Sequence, residues 1–219
     1  MRFRVFTTDQ LLRDALLIAI FLGIAFPVHE FAHAFVAYRL GDGTAKMFGR
    51  LTLNPVVHFD MFGGLMLVLT ALSGSLLLGW AKPTPVNPAN LRDRRNGEVL
   101  VAVAGPASNL IMAAVAAAIF RVLVDVLQLN LPDQVYLVLG YFVAFNVGLA
   151  VFNMLPVPPL DGSALLFRLV SPQTAWRLRP VLTQYGFVIL IVGILFFRQP
   201  LGFVVFGLAN LLLGHGMFG

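Results

Sequence analysis

The chain has 219 residues, of which 59% are hydrophobic and only 11% charged, with a mean hydropathy of +0.88. A soluble globular protein carries about 25% charged residues, so this composition excludes an ordinary soluble domain. The net charge of +5 does not read as a nucleic-acid surface, because the basic residues lie between apolar runs rather than in one patch. The absence of cysteine excludes disulfides, thiolate metal ligands and cysteine nucleophiles.

No charge falls in 15–29, 61–81, 99–120, 134–160, 180–197 or 199–219. Several of these runs approach or exceed the roughly 20 residues that a helix needs to cross a bilayer. The expectation is an all-α polytopic membrane protein with about five to six transmembrane helices, a re-entrant segment and a short membrane-associated hairpin. Arg2 and Arg4 are followed by Asp9 and Asp14 with no small-residue cleavage site, so no cleaved signal peptide is expected.

The first helix is predicted over 11–40, closed by Gly41-Asp42-Gly43. Residues 44–60 alternate in a way that reads as a strand or hairpin. Residues 61–80 are apolar but interrupted by Gly63-Gly64 and Ser73-Gly74-Ser75. The basic, proline-bearing stretch 82–98 reads as a loop. A long helix rich in small residues follows over 99–127, and small residues let membrane helices approach closely. Residues 134–155 form the next helix, which Pro156, Pro158 and Pro159 break before it restarts over 160–170. The chain ends with a helix to Phe197 and a separate apolar segment after Pro200. No repeat, linker or second domain is visible, so 1–219 reads as one integral-membrane domain.

Segments 39–50, 82–98 and 168–179 are all basic, which places all three in the cytoplasm by the positive-inside rule. If 61–80 crossed the membrane, the first two would lie on opposite faces. A re-entrant half-span removes that conflict, and its glycines and serines suit non-helical backbone buried within protein.

Chemistry concentrates in His29-Glu30-Phe31-Ala32-His33. On a helix the two imidazoles share a face and can reach one metal ion, while Glu30 borders that face and can take a proton from water. A chance match is common in soluble helices, but ionisable residues within an apolar helix are costly and usually functional. A hydrolytic zinc site normally has three protein ligands and one open position. His58, His215 and intramembrane carboxylates compete for the third place. Asp161 follows a 27-residue uncharged run, yet an aspartate after a proline break also makes a good helix cap. His58 reads equally as ligand, substrate-side donor or interfacial residue, and His215 as incidental. Asn109, Asn146 and Asn153 read first as inter-helix hydrogen-bonding groups; Asn153, which shares a segment with Asp161, can also serve a developing oxyanion.

Three segments together carry a resemblance: 29–33, Gly105-Pro106-Ala107-Ser108-Asn109, and 153–162, which reads Asn-Met-Leu-Pro-Val-Pro-Pro-Leu-Asp-Gly. In order and spacing they look like the site-2 protease family of intramembrane zinc metalloproteases, from Phe26 to about Phe167. Residues 49–60 and 79–83 resemble its compact bacterial and archaeal branch. The resemblance implies one zinc ion per chain, held by His29, His33 and Asp161, with Glu30 catalytic and Asn153 near the reacting carbonyl. It implies a multi-pass cell-membrane protein that cleaves transmembrane substrates within the lipid bilayer, its active site opening toward the cytoplasm. The expectation is that these 219 residues hold no PDZ or CBS domain of the kind found in many relatives.

Other readings have less support. Ser73, Ser75, Ser108 and Ser163 lack a nucleophile motif, and Asp161 has no second intramembrane aspartate. A metal-ion transporter would show repeated halves, and a non-catalytic scaffold would not require Glu30.

Overall fold

The computed structural model describes residue 15 and residues 18–72, 79–214 and 216–218. The start of the first predicted helix, the serines of 73–75 and His215 lie outside them. Every regular element among the described residues is helical. Helix α1 spans Ile18–Arg39, with π-helical turns over Phe21–Ala25. Three short helices follow: α2 (Thr44–Met47), α3 (Pro55–His58) and α4 (Met61–Leu72). Helix α5 covers Arg94–Arg121 and continues as π-helical turns to Val126. The rest is α6 (Asp133–Asn153), α7 (Gly162–Leu169) and α8 (Pro172–Leu213).

Among the described residues, four helices, α1, α5, α6 and α8, are long and apolar enough to cross a membrane. Their packing rests on small side chains. Ala113, Ala116 and Ala117 of α5 are buried against Val143, Ala144 and Val147 of α6 and Ala209 and Leu213 of α8. Where Ala replaces larger residues the helix axes come closer, and dispersion contacts then hold helices that gain nothing from leaving water. The outer face of α8 is the converse. Phe187, Phe196, Phe197 and Phe203 are each more than half exposed, an apolar surface suited to lipid.

Three sequence expectations are corrected here. Residues 44–60 fold as α2 and α3, not as strands. Lys46 and Met47 fall in a helical turn, and Asn54 caps α3 through Oδ1 accepting from the Val56 N–H (3.1 Å). Local capping and Pro55 at the first helical position thus override the alternation. Nor does Pro200 end a helix; α8 runs through both Pro180 and Pro200. An internal proline removes one hydrogen bond, whereas ending a helix within hydrocarbon would leave several backbone groups unpaired. The loop predicted to 98 also ends early, because Asp93 caps α5 through the Asn96 N–H.

The segment between α3 and α5 enters and leaves at one level. Helix α4 has 12 residues, about 18 Å of rise against about 30 Å of hydrocarbon. Beyond it the chain returns beside its own start: the Lys82 N–H donates to the His58 carbonyl (2.8 Å). A Cβ on Gly63 would lie 2.0 Å from the Trp80 carbonyl oxygen, so only glycine permits this return. The re-entrant reading of 61–80 therefore matches the fold.

The same end of the bundle collects all three basic segments. Asp42, fully buried, accepts from the Asn87 N–H (2.7 Å) and Asn90 Nδ2 (3.0 Å), joining 39–50 to 82–98. Burial alone would raise its carboxyl pKa; hydrogen bonds from Thr44, Asn90 and Asn87 outweigh it and hold the carboxyl below the ordinary range. Arg95 donates to the Arg168 carbonyl (3.1 Å), bringing in 168–179.

Candidate metal centre

Helices α1 and α5 run antiparallel, and their contact is built on matched i, i+4 stripes. On α1 the stripe is His29 and His33. On α5 it is Val101, Gly105 and Asn109. His33 Nδ1 lies 2.7 Å from the Val101 carbonyl oxygen, and His29 Nδ1 lies 2.6 Å from Asn109 Oδ1. Between these two contacts the α5 backbone comes close. A Cβ on Gly105 would fall 2.4 Å from His33 Nε2 and 2.6 Å from His29 Cε1.

These hydrogen bonds settle which ring nitrogens carry protons. A carbonyl oxygen only accepts, so His33 donates from Nδ1. Asn109 Nδ2 donates to Asn146 Oδ1 (2.9 Å), and Asn146 Nδ2 donates to the Phe142 carbonyl (2.9 Å). That chain fixes both amides, so Asn109 Oδ1 accepts from His29 Nδ1. In the neutral rings both Nε2 atoms are then bare lone pairs. They face each other at 3.0 Å.

The third group arrives from across the bundle. Residues 154–160 form a proline-rich turn after α6. Gly162 completes it, since a Cβ there would sit 2.2 Å from the Met154 carbonyl oxygen. Helix α8 passes close behind, where a Cβ on Gly186 would meet the Pro158 carbonyl at 2.1 Å. The turn delivers Asp161 Oδ2 to 3.3 Å from His29 Nε2 and 3.4 Å from His33 Nε2. Asp161 makes no capping bond to α7, so the alternative role left open by the sequence is not the one observed.

Three acceptor atoms thus converge, and buried Asp161 Oδ2 has no hydrogen-bond partner. Such an arrangement is repulsive unless a cation sits among them. Tetrahedral zinc, with bonds of 2.0–2.1 Å to nitrogen, separates its ligands by about 3.3–3.4 Å. The observed separations of 3.0, 3.3 and 3.4 Å fit that requirement. Two imidazoles and a carboxylate also form a borderline donor set suited to zinc. The hydrogen bonds to Val101 and Asn109 are of the kind that orients histidines in metal sites.

Glu30 is buried yet outside this triplet. Its Oε2 accepts from the Thr84 N–H (2.7 Å), while Thr84 Oγ1 donates to the Glu30 carbonyl (3.1 Å). Asn153 ends α6, and its Nδ2 donates to the Leu149 carbonyl (2.9 Å), which leaves a second N–H uncommitted. No described hydrogen bond joins Asn153 to the triplet. His58 also stands apart: Nε2 donates to the Thr52 carbonyl (2.8 Å), and its ring is almost fully buried. Ser108 is tied to the Gly105 carbonyl (2.7 Å).

Sequence reasoning named Asn109 as an inter-helix hydrogen-bonding group without naming its partner, and assigned no contact to Val101, Gly105 or Thr84. The first three share a signal that was present, an i, i+4 stripe on an uncharged helix holding one glycine and one amide. Thr84 carries no such signal, because it reaches the Glu30 carboxylate through a backbone N–H that nearly any residue supplies.

Comparison with known proteins places the chain in a family. The model of the family described as "Peptidase family M50" matches residues 123–195, which include Asn153 and Asp161. A Bacillus subtilis protein named "Putative zinc metalloprotease YwhC" is 39% identical over 197 residues, 84% of this chain and 81% of that protein. Two proteins named "Putative zinc metalloprotease Rip2", from Mycolicibacterium smegmatis and Mycobacterium tuberculosis, are 34% and 37% identical over 169 residues. The match spans 75% of this chain and 61% of each mycobacterial relative. No solved structure matches the chain.

Proposed function

Because this chain belongs to peptidase family M50 and is a multi-pass membrane protein, we propose that it is a zinc metalloendopeptidase that hydrolyses peptide bonds in or near transmembrane segments of membrane-protein substrates. The observation that carries this reading is the convergence of His29, His33 and Asp161 on one point, with Glu30 beside them but outside the donor set.

His29, His33 and Asp161 would hold the zinc. When bound there, zinc would supply Lewis acidity, polarising a peptide carbonyl and lowering the pKa of water toward neutrality. Glu30 accepts the proton that the attacking water gives up and returns it to the leaving amine. The Thr84 N–H holds Glu30 Oε2 in place, so the other carboxylate oxygen is the one that works. Asn153 anchors one amide hydrogen on its own helix and offers the second to the developing oxyanion. A substrate helix hides its carbonyls in its own hydrogen bonds and must unwind locally before it is cut.

Depth supports an intramembrane site. His33 and His29 precede Arg39 by six and ten residues, about 9 and 15 Å below the basic end of α1. The positive charge of the three basic segments at that end supports a cytoplasmic orientation. Single cysteines in 39–50, 82–98 and 168–179, introduced into a cysteine-free chain, should resist an impermeant thiol reagent added to intact cells. Labelling of any one of them from outside would reject this orientation. For the activity, purified protein incubated with transmembrane peptides should yield fragments by mass spectrometry that a chelator abolishes and zinc restores. Cleavage insensitive to chelation would contradict the assignment.

A further inference from the structure

The basic end of the bundle holds a second built feature, formed by residues outside the converging triplet of His29, His33 and Asp161. Between α5 and α8 lies a cleft of about 730 Å³, lined by Arg94, Arg95, Glu98, Trp176 and Arg179. It adjoins a smaller one of about 260 Å³ that adds Phe167 and Arg168. Four guanidinium groups therefore surround Glu98, with Asp93, which Arg168 influences electrostatically, as the second carboxylate nearby.

Glu98 does not satisfy them. It lies 3.4 Å from Arg179 Nη2 and 3.9 Å from Arg94 Nε. Arg95 and Arg168 form no ion pair among the described residues, and their described hydrogen bonds go to neutral acceptors, the Arg168 carbonyl and Asn96 Oδ1. Arg179 also stacks over Phe167, 4.8 Å from the ring centroid, which fixes its plane. This leaves a preorganised excess of positive charge with forked donors suited to phosphate oxygens.

The surroundings point to the source of that phosphate. The cleft sits where α5 and α8 begin their apolar spans, at Arg94 and Pro172. Trp176 is 79% exposed on its wall, and tryptophan on a membrane protein favours the headgroup level. Apolar side chains further along α8 face outward, so a lipid seated here can keep its acyl chains against them. Basic pockets between helices on the cytoplasmic side suit anionic lipid headgroups.

We propose that this cleft binds the phosphate headgroup of an anionic phospholipid of the adjoining leaflet. The test is native mass spectrometry of the purified full-length protein, released from detergent containing equal amounts of phosphatidylglycerol and phosphatidylcholine with matched acyl chains. Wild type should retain phosphatidylglycerol over phosphatidylcholine by about 10-fold or more. The preference should be lost in Arg95→Gln/Arg179→Gln and persist in Arg177→Gln, which changes a basic residue that does not line the cleft. Arg95→Gln alone leaves both Glu98 pairs intact and should lower the preference in part. Equal retention of the two lipids by wild type, or an undiminished preference in the double variant, would overturn the proposal. So would complete displacement of phosphatidylglycerol by millimolar inorganic phosphate, which would mark a small-anion site instead.

Discussion

Glu30→Gln should lower peptide cleavage by about 100- to 10,000-fold, the usual contribution of a positioned general base. Glutamine preserves the shape of the side chain, and its amide oxygen can still accept from the Thr84 N–H that now binds Oε2. What it loses is the capacity to take a proton. Zinc content should stay near that of wild type, because Glu30 contributes no atom to the converging donor set. The variant should also still bind substrate. Kinetic assay and elemental analysis on the same preparation separate these effects. Undiminished turnover would remove Glu30 from the mechanism, and parallel loss of zinc would make it a ligand.

Gly105→Ala should be the most damaging single-methyl change in α5. In an ordinary helix that substitution is favourable by about 1 kcal/mol. Here the new Cβ would overlap both histidine rings, at 2.4 and 2.6 Å, well inside any tolerated contact. Either α5 retreats from α1 or the imidazoles leave their positions, and both break the hydrogen bonds from His33 to Val101 and from His29 to Asn109. Losing such orienting contacts typically costs 10- to 100-fold in metal affinity, so zinc affinity should fall by about that factor or more. Gly193→Ala on α8 is the control. A Cβ added there would meet nothing within 4 Å, so zinc affinity should not change. Competition with a calibrated chelator measures both.

The difference between these residues also marks what the sequence made legible. His29, Glu30 and His33 announce themselves because a charged, metal-binding pattern interrupts an apolar helix. Asp161 stands out for the same reason, although the sequence alone left it divided between ligand and cap. Only the turn 154–160 and the approach of α8 decide between them. The contribution of Gly105 depends on a close approach between two helices some 70 residues apart, which local pattern does not encode. Thr84 acts through its backbone, and backbone placement in an extended segment leaves no compositional trace. The same limit explains the misread elements. Alternation over 44–60 carried less weight than the Asn54 cap and Pro55, and a proline such as Pro200 stops a helix in water far more readily than in hydrocarbon. The adjacency of the two ends of 61–80 is what charge parity leads one to expect, because parity is a global constraint that a linear sequence does carry.

The most direct test of the central claim is the zinc X-ray absorption spectrum of the purified protein, recorded beside its zinc content in Asp161→Ala. The expected result is one zinc per chain in a four-coordinate nitrogen and oxygen shell with scattering from two imidazoles, and substantial loss of the metal when Asp161 is removed. Full zinc retention in Asp161→Ala, or a shell without two imidazoles, would contradict it.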